Sequence, residues 1–405
     1  MIQLFKMAIR DLGRNRRRTF FSALAVGMGL ALLMLMASVI NGEMGNAIES
    51  AINLQSGHIQ VRAAGYDENK SSLKWEDLVP NPEQVAGKIA AMPQVKAATP
   101  RLFASGFIST GDESAGVRIF GIDPQSPASD PYRQGVISGD FLTPDDRDGL
   151  LIGKPIADKL HLKTGDPVSL SVNTSNGNVD EQTFTVRGIY TTNTYGFDNA
   201  TIFLPLAKAQ AITQTENHAS TIFVLLKDTA TTDSVAKALK GTNLEVKTWT
   251  QMNSLIVDTE TMARSYISFF YLIILAITAS VIINTQIMSV YERTREIGIL
   301  SAIGMRGGRI MTLFLSESFL LAVGGVILGV FLGWLAVYLF NIKGFYIGNM
   351  GLSGILIGNT IYAKLTTADT INVTIMTFVV TLLAGLYPAM MASRMEPVEA
   401  LRAEK

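Results

Sequence analysis

TFFSALAVGMGLALLMLMASVI, Thr19 to Ile40, carries no charged side chain from end to end. A hydrocarbon core of about 30 Å is crossed by roughly 20 helical residues. This stretch is therefore long and apolar enough to span a bilayer. Outward along the chain, Tyr266 to Val290 and Ile371 to Ser393 are equally uncharged, and a further apolar run from Ile310 to Phe340 carries Glu317 in its first turns. Four spans place both termini on one side. The basic stretch ahead of Thr19 is not read as the start of a secretory signal: the apolar segment is a full span, and no small-residue cleavage site follows closely.

Composition agrees. Of 405 residues, 48% are apolar and 17% charged, too hydrophobic for a soluble chain of this length. Lys plus Arg and Asp plus Glu number 34 each, so the overall balance gives no pointer to nucleic acid. There is no cysteine, which excludes thiolate metal sites, disulfides and cysteine nucleophiles. Basic residues cluster before the first span (Lys6, Arg10, Arg14, Arg16, Arg17, Arg18), between the second and third (Arg293, Arg295, Arg306, Arg309) and after the fourth (Arg394, Arg402, Lys405). The positive-inside rule makes these three clusters cytoplasmic and predicts a multi-pass membrane protein with both termini inside.

The expected organisation follows. Residues 1–18 form an interfacial helix, with Met1, Leu4, Phe5, Ala8, Ile9 and Leu12 opposite Lys6 and Arg10, unless they are only a basic flank. Spans occupy 19–40, 266–290, 310–340 and 371–393. A cytoplasmic helix and loop covers 291–309, an outer loop 341–370, with GLSGILIG too short to span, and a cytoplasmic tail 394–405. Interval 41–265 reads as an extracytoplasmic α+β domain of two small mixed subdomains. Strands are predicted at GHIQVRA, FASGFIST, GVRIFGI, PVSLSV, QTFTVRGIY, ATIFLPL and STIFVLLK. Helices are predicted at AGKIAAM, behind an Asn81 cap and Pro82, and at PLAKAQAIT and TTDSVAKALK. Helical character beyond the first and second spans, over 41–54 and 250–265, suggests stalks, each reaching roughly 20 Å at 1.5 Å per residue.

Little in the chain looks catalytic. GLLIGKP, Gly149 to Pro155, lacks the leading glycine and the Ser/Thr of a phosphate loop and reads as a strand ending in a turn. His58, His161 and His218 lack metal-ligand spacing and read as surface or loop histidines, so no metal or catalytic residue is assigned. The distinctive stretch is VYERTREIGILSAIGMRGGRI, Val290 to Ile310. Ile297, Leu300 and Ile303 recur at helical spacing while Glu292, Arg293, Arg295 and Glu296 crowd the first turn. Such a helix either docks into another protein or satisfies its charges internally.

ERTREIGILSAIG (Glu292 to Gly304), the downstream Glu317 with its glycines, RNRRRTFFSALAVGMG and YPAMMASRMEPVEALR (Tyr387 to Arg402) closely resemble the FtsX-like permeases, the MacB superfamily of type VII ABC transporters. The resemblance implies a membrane protein of four transmembrane α-helices with a large MacB-like periplasmic α+β domain between the first two. It implies that 290–304 includes the helix contacting an ATPase, with Glu292, Arg293, Arg295, Glu296, Gly298 and Gly304 as coupling residues. ATP and Mg would be bound by two copies of a partner ABC ATPase subunit, with no cofactor in this chain. The second permease of the complex would be another copy or a homologue. VINGE (Val39 to Glu43), FGIDP (Phe120 to Pro124) and Leu151 to Leu170 resemble the lipoprotein-releasing, LolC/LolE type, which implies a lipoprotein substrate and a periplasmic carrier or adaptor. The carrier-recruiting hook of that type has no clear counterpart, because Asn173 to Gln182 is short. MacB-like export of a drug, peptide or siderophore, and FtsX-like control of cell-wall hydrolases, are the alternatives.

Gly325, Gly329 and Gly333 recur every fourth residue, a small-residue face for helix packing in the chain or for a dimer seam. Glu317 either snorkels to the interface or pairs with cytoplasmic-side arginines, a structural role rather than proton transfer. Met28, Leu32, Met36 and Ile40 on the first span and Phe269, Leu272 and Ile273 on the second are candidate lining residues for an acyl group, or else ordinary lipid-facing or packing positions.

Overall fold

The computed structural model describes residues 2–67, 73–111, 113–240, 244–346 and 358–396. Asn349, most of GLSGILIG, Arg402, Lys405 and most of the expected tail lie outside the described residues. The chain divides into two compact units, one of residues 1–43, 260–345 and 361–405, the other of 44–259 and 346–360.

In the first unit lie the four stretches long and apolar enough to cross a membrane, within helices Arg16–Ser50, Ser254–Glu292, Gly307–Lys343 and Thr367–Ser393. The first of these helices continues to Ser50, past Ile40, and the second begins at Ser254, ahead of Tyr266. Glycines set the packing of the third helix on the first. A Cβ at Gly325 would meet that of Val26 at 2.6 Å, one at Gly329 would meet Leu30 Cβ at 2.8 Å and Gly27 O at 2.9 Å, and one at Gly333 would meet Met34. Small residues let two backbones approach this closely where no hydrophobic force separates helix from lipid. Gly329→Val is expected to lower the thermal midpoint of the purified chain markedly, because backbone must move. Gly324→Ala, whose Cβ meets nothing within 4 Å, is expected to leave it unchanged; equal midpoints for the two variants would contradict this packing.

The second unit is α+β. Its sheet runs in the order Leu244–Thr248, Ile59–Ala63, Thr221–Leu226, Val95–Thr110, Glu113–Ile122, Thr201–Pro205, Gly149–Gly153, Val179–Tyr190, Val136–Gly139. Strand Pro167–Asn173 pairs with both Val95–Thr110 and Val179–Tyr190, closing a ring. Alternation decides what fills it. Leu102, Ala104, Ile108, Val117, Ile119, Leu150, Ile152, Leu170, Phe184, Val186, Ile202 and Leu204 form the core inside, as in a small barrel whose side chains occupy its interior. Phe103, Phe120, Leu151, Tyr190 and Phe203 alternate with them and pack on Tyr132 and Phe197 in a separate cluster.

The same long strand serves both lobes. Its residues 95–101 pair with Thr221–Leu226, and there Ile59, Val61, Ile222 and Val224 pack on Ala86, Ile89, Val235 and Ala236 of helices Pro82–Ala90 and Thr232–Leu239. The two expected subdomains are thus lobes sharing one strand, because a strand of sixteen residues is long enough to enter two sheets.

Three local expectations change. Asn81 adopts a left-handed φ of 47° and makes no side-chain cap; its side-chain Oδ1 instead accepts from Asn217 Nδ2 at 2.6 Å. His58 is buried rather than at the surface, within 3.1 Å of Thr229 Oγ1 and accepting from Leu226 N at 3.2 Å, and burial with nearby Lys96 pushes its pKa below the usual 6.5. Gly153 leads into helix Lys154–Lys159, not a turn, and Lys154 pairs with Asp158 at 2.7 Å.

Entry of the chain into this unit is tied by a buried cation. After Ser50 a π-helical turn, Ala51–Ser56, carries Leu54, whose carbonyl accepts from Tyr132 Oη at 2.5 Å and Arg101 Nη1 at 3.3 Å. Arg101 also donates to Ala128 O and its guanidinium lies 3.3 Å over the Phe223 ring.

Candidate functional site

The stretch 290–310 folds as a short helix between two long ones. The second long helix stops at Glu292; Arg293 leaves helical geometry at φ −109° and ψ 12°, and Thr294–Ala302 begins a new helix. Gly304, at φ +93°, ends it, with Gly304 N donating to Ser301 O and Met305 N to Leu300 O, each at 3.0 Å. That pair of bonds needs a left-handed residue, which glycine adopts without a Cβ penalty. Arg306 then turns extended into the third long helix.

The inner face of the short helix is apolar and the junction beside it is ionic. Ile297 packs with Val290, Ile310, Phe314, Ala389 and Ala392. Arg293 is 7% exposed and donates to Glu317 at 2.6 Å, Asp11 at 2.5 Å and Glu296 at 3.1 Å, while Glu317 is 3% exposed. Glu296 also accepts from Arg14 at 2.8 Å, and Glu292 from Arg18 at 2.5 Å. One guanidinium thus joins the N-terminal helix Ile2–Arg14, the short helix and the third long helix. Its planar fork suits several carboxylates at once, which a lysine point charge does not.

This geometry sorts the expected coupling residues. Arg293 is buried rather than at the surface: the buried Glu317 and the half-buried Asp11 draw it inward. Glu292 and Glu296 face arginines of the same chain, and Gly298 is buried. Arg295 is exposed, with Ile299 (48%) and Ile303 (75%) beside it on the outward face. Ile303 therefore departs from the inner apolar face on which its spacing had placed it. Sequence reasoning missed Asp11, whose signal was present: it is the one acid in an otherwise basic N-terminal stretch.

Gly325, Gly329 and Gly333 face the first long helix of the same chain, as described above. Among the candidate lining residues, Met28, Leu32, Phe269 and Leu272 are exposed in the single chain, and Met36, Ile40 and Ile273 are partly buried. Within one chain the first and second long helices share clusters that include Leu30, Leu33 and Leu275, and Val26 and Ile282, whereas the lining expectation concerns these helices in neighbouring subunits. The described residues contain no group of histidine, aspartate and glutamate side chains arranged to hold a metal.

Comparison with known proteins extends the site to a family. The family described as MacB-like periplasmic core domain matches residues 19–242, and that described as FtsX-like permease C-terminal matches 268–397. The lipoprotein-releasing system transmembrane protein LolC of Neisseria meningitidis serogroup B is 24% identical over 95% of this chain and 94% of its own length. The macrolide export ATP-binding/permease protein MacB of Neisseria gonorrhoeae is 23% identical over 84% of this chain, which spans 53% of that protein. A crystal structure of the periplasmic region of MacB from Actinobacillus actinomycetemcomitans aligns with 50% of this chain and 97% of its own, at 15% identity and a TM-score of 0.35. With more than half its length matched by the MacB-like core domain and the FtsX-like segment behind it, the chain belongs to the MacB-like family and is an ABC transporter permease of the FtsX/MacB type.

Proposed function

We propose that the chain is the membrane-spanning subunit of a complex that uses ATP hydrolysis on a separate ATPase to release lipoproteins from the bacterial inner membrane. The observation that carries this reading is the extent of likeness to a lipoprotein-releasing transmembrane protein, 95% of this chain and 94% of that one, against 53% of the MacB protein's length. In this reading two permease chains, identical or homologous, pair with two ATPase subunits that bind ATP and Mg, and a periplasmic carrier or adaptor receives the cargo. Both termini and residues 291–309 face the cytoplasm, while the α+β unit lies outside.

The geometry suits a device that passes movement along helices. The outward face of Thr294–Ala302 and the turn that ends it, with Arg295, Ile299 and Ile303, offers an apolar and basic surface for the ATPase. The Arg293 ion pairs make the short helix, the N-terminal helix and the third long helix move together. ATP is needed because each buried methylene anchors a lipid by about 0.8 kcal/mol, so a multi-chain anchor leaves the bilayer too slowly unaided.

Depletion of the protein is expected to leave lipoproteins in the inner membrane, as read by membrane fractionation. Normal lipoprotein sorting together with new sensitivity to a macrolide would decide for export of the MacB kind, which the match to MacB favours as a second reading.

A further inference from the structure

Within the α+β unit a cavity of about 90 Å³ lies among the turn after Leu54, the outer wall of the barrel and the break at Asn253. Its walls include Tyr66, Phe103 and Phe120, the last two with ring centroids 4.7 Å apart. Among the described residues, one buried polar atom in it lacks the partner that burial ordinarily demands, and one half-buried cation lacks a carboxylate. Gln60 is 3% exposed; its Nε2 donates to Gln55 O at 3.1 Å, and its Oε1 accepts no hydrogen bond among the described residues. Arg118 has no carboxylate within ion-pairing distance among the described residues and donates only a long bond, 3.4 Å, to Thr201 Oγ1. Its guanidinium lies 5.9 Å from the Phe120 and Phe197 ring centres, and burial pushes its pKa down.

We propose that this cavity binds a single apolar residue that ends in a carboxylate, the carboxylate on Arg118, an N–H on Gln60 Oε1 and the side chain against Phe103 and Phe120. Size limits the occupant. An apolar cavity of roughly 150 Å³ accepts benzene, so 90 Å³ admits one aliphatic side chain and no long acyl chain. The unpaired groups fix the chemistry: a planar guanidinium favours a carboxylate, and an amide oxygen needs a donor. A free amino acid and the C-terminal residue of a polypeptide both carry this set.

The position gives binding a consequence. Gln55 belongs to the turn that follows the first long helix, and Asn253 to the break that precedes the second. A ligand seated between them favours the arrangement in which these two chain crossings keep their present spacing.

The test is titration calorimetry on the full chain in detergent, with N-acetyl-leucine and N-acetyl-leucine amide as probes. N-acetyl-leucine is expected to bind saturably and the amide at least about ten-fold more weakly, since a charge-assisted bond is lost. Arg118→Gln should abolish that discrimination, and Gln60→Leu should weaken both probes. Free leucine and Ala-Ala-Leu then separate the sources: tighter binding of the peptide assigns a chain end, tighter binding of leucine a free amino acid, and either supports the site. No saturable binding up to 10 mM, or equal binding of acid and amide by the unaltered chain, overturns it without recourse to any variant. These readouts need neither ATPase nor lipoprotein, so they stand or fall apart from the proposed transport function.

Discussion

Arg293→Ala is expected to destabilise the chain by about 3–5 kcal/mol, because removing one partner of a buried ion pair leaves an uncompensated charge. Glu317, 3% exposed, would lose its bond of 2.6 Å, and Asp11 its bond of 2.5 Å. The loss should appear as a lower yield and thermal midpoint in detergent, and as proteolysis of the freed N-terminal helix. Replacing the pair with apolar residues, Arg293→Met with Glu317→Leu, should recover much of it, since a buried pair exchanged for packed hydrocarbon is often neutral. Arg293→Lys should fall between, having no fork to share among carboxylates. An alanine variant as stable as the unaltered chain, or a double variant no better than the single, would show that Arg293 does not hold the junction.

Asp replacements at Ile299 and Ile303 together are expected to act the opposite way, sparing the fold and removing the partner. Both side chains are exposed, at 48% and 75%, and surface changes away from special features usually move stability by no more than about 0.5 kcal/mol. An interface anchor, by contrast, contributes about 2 kcal/mol or more, so association with the ATPase should weaken by roughly thirty-fold or beyond. Co-purification and calorimetry with the partner subunit read this directly. Unchanged binding by a folded double variant would place the docking surface elsewhere.

Much of the fold was legible because its signals are local. An uncharged run of the length of Thr19 to Ile40 has few fates other than a span, and alternation marked the strands at Ile59–Ala63, Glu113–Ile122 and Val179–Tyr190. What depends on distant pairing was not legible. The barrel closes through Pro167–Asn173 meeting Val95–Thr110, and no short-range pattern states which strands meet. The candidate site divides likewise. Helical spacing identified the short helix, yet the burial of Arg293 follows from Asp11 and Glu317, which lie 282 and 24 residues away in sequence. Ile303 was placed on the apolar face by spacing alone, but the helix ends at Ala302 and the glycine-capped turn carries Ile303 outward.

Lipoprotein release, as proposed, requires ATP hydrolysis by a partner to be converted through this permease into removal of a lipid-anchored protein from the membrane. Its most direct test is reconstitution of the chain with its ATPase in vesicles that contain a labelled lipoprotein, in the presence of a soluble acceptor. Label is expected in the supernatant with ATP, and not with the Ile299→Asp, Ile303→Asp chain; vigorous ATP hydrolysis that leaves the lipoprotein in the vesicles would overturn the proposal.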